Sequence, residues 1–301
     1  HDSQVRLKAF EWLRKQKDLH GEILPRDLLT AGFEFEGQRV PLISPKGIFK
    51  PQVLPEIPLT ITTVPPSPRK DRPYEDEISY EGFLLYKYRG TDPAHPDNVG
   101  LRKAMQQKAP LIYLYGLVPG YYSPVFPVYV TRDDPDMLTF TVAVDEANYQ
   151  TVGNYIGEDD VEARRRYITQ VTRKRLHQQR FREQVLSAYD RRGAICTLRH
   201  TELLEAAHIL HDSHPRGQPV VQNGLSFCML HHAAFDRNLL AVRPDYTIEL
   251  REDILDEDDG PMLVHGIQEF HQKKILLPRK ASLQPDRKRL EERYAIFRSS
   301  T

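Results

Sequence analysis

The sequence predicts an α+β protein in three parts. A β-rich unit over residues 1–150 is entered through a helix, a basic helical linker follows over 151–185, and a small mixed unit occupies 186–301. Three observations predict this order. Short apolar strings broken by Gly, Pro and Asp fill residues 35–145, the texture of strands and turns. The stretch 159–189 holds neither Gly nor Pro. Between Tyr189 and Leu240, histidines and acids gather around one strand-like and one helix-like segment.

The elements follow in order. Val5, Ala9, Phe10 and Leu13 recur at helical spacing within residues 4–19, and His20-Gly21 closes that helix. Val40, Leu42 and Ile43 belong to short strands and turns between Phe33 and Leu59. Pro65 to Arg72 is a loop, and Phe83–Tyr88 is strand-like. Pro110–Gly116 is a short apolar run closed by Gly, the pattern of a buried strand. Val125–Val130 and Leu138–Val144 flank Arg132-Asp133-Asp134-Pro135-Asp136 and form a hairpin, with Leu138, Phe140, Val142 and Val144 on one face. Residues 159–189 form one long helix or two, with Phe181, Val185, Leu186 and Tyr189 as a buried stripe. Leu203–Ile209 is a strand ending near His208, and Met229–Leu240 is a helix.

Composition excludes several classes. The 301 residues carry 42 Lys+Arg and 42 Asp+Glu, so bulk basicity cannot supply a grip on nucleic acid. The charge is unevenly placed, however. No acid interrupts the basic residues between Arg164 and Arg182, while Glu249, Glu252, Asp253 and Asp256–Asp259 crowd one later segment. Arg164, Arg165, Arg166, Arg173, Lys174 and Arg175 are the candidate phosphate contacts, the alternative being a solvated helix face. No apolar run reaches the roughly 18–20 residues that span a bilayer. The two cysteines, Cys196 and Cys228, make no disulfide framework, which fits a reducing cytoplasm.

The chemistry is concentrated in the last unit. His208 ends a strand, Asn223 lies in the loop beyond it, and His232 and Asp236 sit at i and i+4 on one helix face. This arrangement resembles the HNH, or ββα-metal, nuclease motif, and the words EAAHI, NGL and HxxxD match a restriction-type subgroup. The resemblance covers roughly residues 185–295, including a strand from Arg243 to Leu250. It implies His208 as general base, Asn223 as the residue that orients its loop, and His232 with Asp236 as ligands of a divalent ion. Mg²⁺ or Mn²⁺ suits that donor set, with Ni²⁺, Co²⁺ or Zn²⁺ also allowed. The family often places Asp or His before the catalytic His, where this chain has Ala207; Glu205 is the candidate third ligand. Some members hold structural zinc through two CxxC pairs. The words here, Cys196-x₃-His200 and Cys228-x₂-His231, are spaced more loosely and carry single thiols, so no structural zinc is expected.

The first unit has a resemblance of its own. Tyr74-Glu75-Asp76-Glu77, then Gly82 to Gly90, Asp97-Asn98 and Pro110–Tyr113 resemble an SRA-type domain, a PUA-like β-barrel that binds a flipped, modified cytosine. The resemblance implies Tyr74 and Tyr88 as stacking rings and Glu77, or Asp76, as reader of the base edge. Arg89 stands where the family has Thr, and the tyrosine spacing is unusual. Together the two resemblances imply a modification-dependent restriction endonuclease. Its partner would be double-stranded DNA carrying 5-methyl- or 5-hydroxymethylcytosine. It would act as a homodimer, because one HNH site cuts one strand.

Overall fold

The computed structural model of the chain describes residues 1–65, 83–144 and 158–299, the side chains of 158–166 excepted. Two compact units divide it, His1–Leu176 and His177–Thr301. No helix of the described residues is long and apolar enough to cross a membrane.

In the first unit, α1 (Asp2–His20) buries Val5, Ala9, Phe10 and Leu13, the stripe its spacing predicts. It stops at Gly21, whose φ of 81° suits a residue without a side chain. Then come β1 (Leu24–Pro25), α2 (Arg26–Ala31) and a hairpin of β2 (Phe33–Phe35) and β3 (Gln38–Val40). The main sheet is built from β4 (Ile48–Phe49), β5 (Thr60–Thr62), β6 (Leu84–Lys87), β7 (Leu111–Val118), β8 (Tyr121–Asp134) and β9 (Thr139–Val144), with α3 (Pro96–Gln106) between β6 and β7. Its order is β4-β5-β7-β8-β9-β6, and β1 pairs with β8. Among the described residues, only β5 and β7 run parallel within it.

β7 is buried along its whole length because both faces of the sheet are covered. Leu111, Tyr113, Tyr115 and Leu117 face a core shared with β6, β8 and β9. Ile112 and Leu114 face the other way, into a core closed by α1, α2 and the small hairpin. This gives α1 a role that the sequence left open: it covers the back of the sheet. Arg6 of α1, 2% exposed, donates hydrogen bonds to the carbonyls of Pro58 (3.0 Å) and Pro110 (2.9 Å) and to the carboxylate of Asp2, which neutralises it.

Of the expected β-barrel, the described residues form a curled sheet. It ends at β4 and β6, and no ladder joins those two strands among the described residues. Instead the sheet curls. Bulges interrupt the β7–β8 and β8–β9 pairings and let it bend. The hydroxyl of Tyr86 on β6 then donates across to the Thr62 carbonyl on β5 at 3.3 Å. The expected hairpin is β8–β9, with Phe140, Val142 and Val144 buried and Leu138 half-buried beside them. The expected loop from Pro65 lies, after its first residue, outside the described residues.

Residues 159–189 form a single helix, α4 (Glu158–Ala188). Ile168, Thr172 and Leu176 are buried in the first unit, where the Thr169 hydroxyl also accepts from the Val144 amide at 3.1 Å. Phe181, Val185, Leu186 and Tyr189 are buried in the second. The boundary between units falls inside the helix, between these two stripes.

The second unit continues with β10 (Leu204–His208), β11 (Gly224–Cys228), α5 (Met229–Asp236), β12 (Leu240–Val242), β13 (Ile248–Leu250), α6 (Glu252–Asp256), α7 (Pro261–Gly266) and α8 (Arg287–Ser299). β10 and β11 pair antiparallel, with His208 opposite Gly224. A Cβ at Gly224 would collide with Val185 and Phe181, so β11 lies directly against α4. α5 ends at Asp236, short of the expected Leu240. Asn238 takes a left-handed φ of 55°, and the Leu239 amide closes back on the Ala234 carbonyl at 2.9 Å. Arg293 of α8 fixes this end by donating to Asn238 Oδ1 (2.5 Å) and the Phe235 carbonyl (2.6 Å). The expected strand at 243–250 is a turn followed by β13, paired with β12.

Candidate active site

The site is built where β10 ends. His208 closes that strand, and its ring stacks on Phe181 of α4, centroids 4.1 Å apart and planes 19° from parallel. Burial holds the imidazole below its ordinary pKa; the Asp212 carboxylate opposes that shift without cancelling it. Asp212 Oδ1 lies 2.9 Å from His208 Nε2 but out of line for a hydrogen bond. A carboxylate so close favours the tautomer with the proton on Nε2.

Asn223 ties the neck of the loop that follows. Its Oδ1 accepts from the Leu210 amide (3.0 Å), and its Nδ2 donates to the carbonyls of Leu210 (2.9 Å) and Gln218 (3.2 Å). The Ile209 amide bonds the Asn223 carbonyl at 2.9 Å, so both strands are pinned beside His208. The side chain is fully buried, and each polar atom is satisfied.

His232 projects from α5 between two carboxylates. Glu205 Oε2 of β10 lies 2.6 Å from Nδ1, and Asp236 Oδ2 lies 3.3 Å from Nε2. Glu205 and Asp236 thus reach opposite ring nitrogens rather than one point. Ala207, where a further ligand often stands, is buried in the core.

The segment 193–243 matches the family model described as HNH endonuclease. Residues 193–243 are an HNH endonuclease domain. The protein is therefore a metal-dependent nuclease. No curated protein matches the chain. Among solved structures, one similar chain is described as "Modification dependent TagI restriction endonuclease". It is 14% identical, with 80% of this chain and 82% of that chain covered, at a TM-score of 0.28.

Two residues beside the HNH residues carried no role in the sequence reading. Phe181 lies far upstream, and its stacking on His208 follows from how α4 packs on β11. Asp212 could have been found by its i+4 offset from His208 in a polar loop.

Within the HNH domain, three of the four Cys and His residues singled out by spacing come together. Cys196, Cys228 and His231 offer ligand atoms within 4.8 Å of one another, while His200 is exposed and outside the group. The two thiols therefore face one another.

The candidate base pocket is described only in part, since Tyr74, Asp76 and Glu77 lie outside the described residues. The Tyr88 ring is 3% exposed and stacks on Phe140 at 4.6 Å. Its hydroxyl is hydrogen-bonded to Asp133, and Arg102 donates to it at 3.2 Å. Arg89 is ion-paired with Asp97. Tyr88 is thus a core residue here, with one face already covered.

The basic stretch of α4 is mixed. Lys174 is exposed, whereas Arg173 and Arg175 are half-buried, and burial lowers the Arg173 pKa. Arg182 donates to the carbonyls of Thr201 (2.6 Å) and Leu204 (2.9 Å), serving the fold. The side chains of Arg164, Arg165 and Arg166 lie outside the described residues.

Proposed function

We propose that the chain hydrolyses double-stranded DNA through its HNH domain, and that its first unit selects DNA containing 5-methyl- or 5-hydroxymethylcytosine. The observation that carries the nuclease chemistry is the convergence of His208, Asn223, His232 and Asp236 around one strand end. His208 is the general base. Held neutral by burial and protonated on Nε2 beside Asp212, it accepts the proton of the attacking water at Nδ1. Asn223 keeps that ring at the strand end. His232 Nε2 and Asp236 fit a divalent ion: one imidazole nitrogen and one carboxylate, both partly exposed, leave positions for water and phosphate oxygens, as Mg²⁺ or Mn²⁺ requires. When bound, the ion supplies Lewis-acid polarisation of the phosphate and stabilises the leaving oxygen. Glu205, on the far nitrogen, orients His232 rather than ligating directly.

That role for Glu205 has a measurable consequence. Glu205→Gln is expected to weaken Mn²⁺ binding by roughly 10–100-fold without unfolding the protein. An unchanged Mn²⁺ titration would remove Glu205 from the site.

The cytosine reading is supported by the Tyr74–Glu77 run ahead of β6. Its stacking role falls first to Tyr74, because Tyr88 is engaged in the core. Exposed Lys174 and the Arg164–Arg166 run are the proposed phosphate contacts. Since one site cuts one strand, two copies acting as a homodimer would cut both. Matched duplexes with cytosine, 5-methylcytosine or 5-hydroxymethylcytosine, incubated with Mg²⁺ or Mn²⁺, test the proposal. Preferential cutting of a modified duplex, lost in Tyr74→Ala, is expected. Equal cutting of all three refutes modification reading and leaves the second reading, which the burial of Tyr88 favours: a first unit that reads a sequence or another DNA feature. Cutting of none refutes the nuclease assignment.

A further inference from the structure

We propose that Phe181 of α4 is a positioning residue for DNA cleavage: by stacking on His208 it sets the plane of the imidazole, and so the direction in which Nδ1 meets water. The role rests on His208 being the general base.

The phenyl ring stands where a cross-strand neighbour would otherwise pack. His208 pairs with Gly224 across the β10–β11 ladder, and glycine offers no side chain to flank the imidazole. Phe181 fills that place. A Cβ at Gly224 would lie 2.9 Å from Phe181 Cζ and 2.4 Å from Val185 Cγ2, so only bare backbone admits the ring. Phe181 is 3% exposed, with its centroid 4.1 Å from that of His208 and the planes 19° apart. The χ2 torsion of an unflanked histidine is broad and roughly two-fold. A flat face at stacking distance narrows it, which an aliphatic side chain of similar bulk would not do. Asp212, 2.9 Å from Nε2, then distinguishes the two edges of the imidazole.

Phe181 is itself fixed relative to β10. Its neighbour Arg182 donates to the carbonyls of Thr201 (2.6 Å) and Leu204 (2.9 Å), and Leu204 begins the strand that His208 ends. Glu183, 3% exposed, accepts from Arg182 (2.8 Å) and Arg191 (3.0 Å). Hydrogen bonds thus tie α4 to the start of β10, and the stack meets its end.

Two readouts on the full chain test this role. In metal-free protein, the imidazole proton signals missing from His208→Ala identify His208. Stacking places them upfield of free imidazole, and Phe181→Leu should abolish that shift. The second readout is single-turnover cleavage in Mg²⁺, on the faster-cut of a cytosine and a 5-methylcytosine duplex. At saturation it should fall about 10–10²-fold in Phe181→Leu with half-saturation unchanged, the scale of a misplacement of roughly 1 Å. In a His208→Ala background the same substitution should cost nothing further, because no ring remains to be placed. Should Phe181→Leu fail to fold, Phe181→Met, which refills the volume without a flat face, must give the same pattern. An equal loss in both backgrounds overturns the proposal. So do unshifted signals in the unmodified protein, or full cleavage by a variant that has lost the shift. Full cleavage by His208→Ala alone refutes the general base, and the proposal with it, whatever the signals show.

Discussion

Replacing His208 with alanine is expected to slow DNA cleavage by roughly 10²–10⁴-fold, the usual contribution of a general base. The DNA affinity and melting curve should stay close to those of the unmodified protein. The ring sits at the end of β10, partly exposed, with one face on Phe181, so its loss removes little packing. The pH profile provides a second check with a defined sign. The base works only when neutral, and burial holds its pKa below the ordinary value of about 6.5. Cleavage by the unmodified protein should therefore persist as the pH falls through that value and fail only below it. The residual activity of His208→Ala should lack this acid limb. Full cleavage by the variant, or an acid limb unchanged in it, would remove His208 from the mechanism.

The second large effect belongs to Asn223. Its alanine variant leaves the Leu210 amide and the Leu210 and Gln218 carbonyls without their side-chain partner in a buried setting. At about 1–3 kcal/mol for each buried polar group left unpaired, and with some rescue by entering water, the cost is about 2–4 kcal/mol of stability. Chemical denaturation would read it as a lower midpoint. Cleavage should fall further than the folded fraction accounts for, because the loop that follows His208 is no longer pinned. Asn223→Asp sharpens the argument. It keeps the shape and the acceptor for the Leu210 amide but turns a negative charge toward two carbonyls, so it should not rescue stability. A denaturation midpoint unchanged in both variants would show that the neck of the loop is held by something else.

The legibility of the molecule differs between its units for physical reasons. The places of His208, Asn223 and His232 could be read because they depend on short-range geometry: a strand end, a loop and a helix start close together in the chain. The stripe Phe181, Val185, Leu186 and Tyr189 was legible because periodicity encodes a buried face. The contact of Glu205 with His232 was not legible, because it depends on how α5 packs on the β10–β11 hairpin. The approach of Cys196, Cys228 and His231 was not expected from their loose spacing, and His200, considered with them, is exposed and outside the group. Tyr88 was placed in the pocket by resemblance, within a strand of alternating residues. Alternation separates two faces but does not say which is covered, and the sheet curls so that this ring meets Phe140. Whether the curled sheet closes could not be read for a related reason: closure depends on pairing between strands far apart in sequence, such as β4 and β6.

The bare backbone of Gly224 against Val185 and Phe181 bears on where this nuclease can be severed from its neighbours. The segment 193–243 holds every proposed nuclease residue, yet it omits Phe181, Val185 and Tyr189 from one side of its core and Leu290 from another. A fragment cut at those limits would expose the floor beneath His208 to water. The inheritable module is larger than the signature that reveals it, running from the second half of α4 to the end of α8. A gene fusion that grafts this cutter onto another reader would therefore need its seam upstream of Phe181.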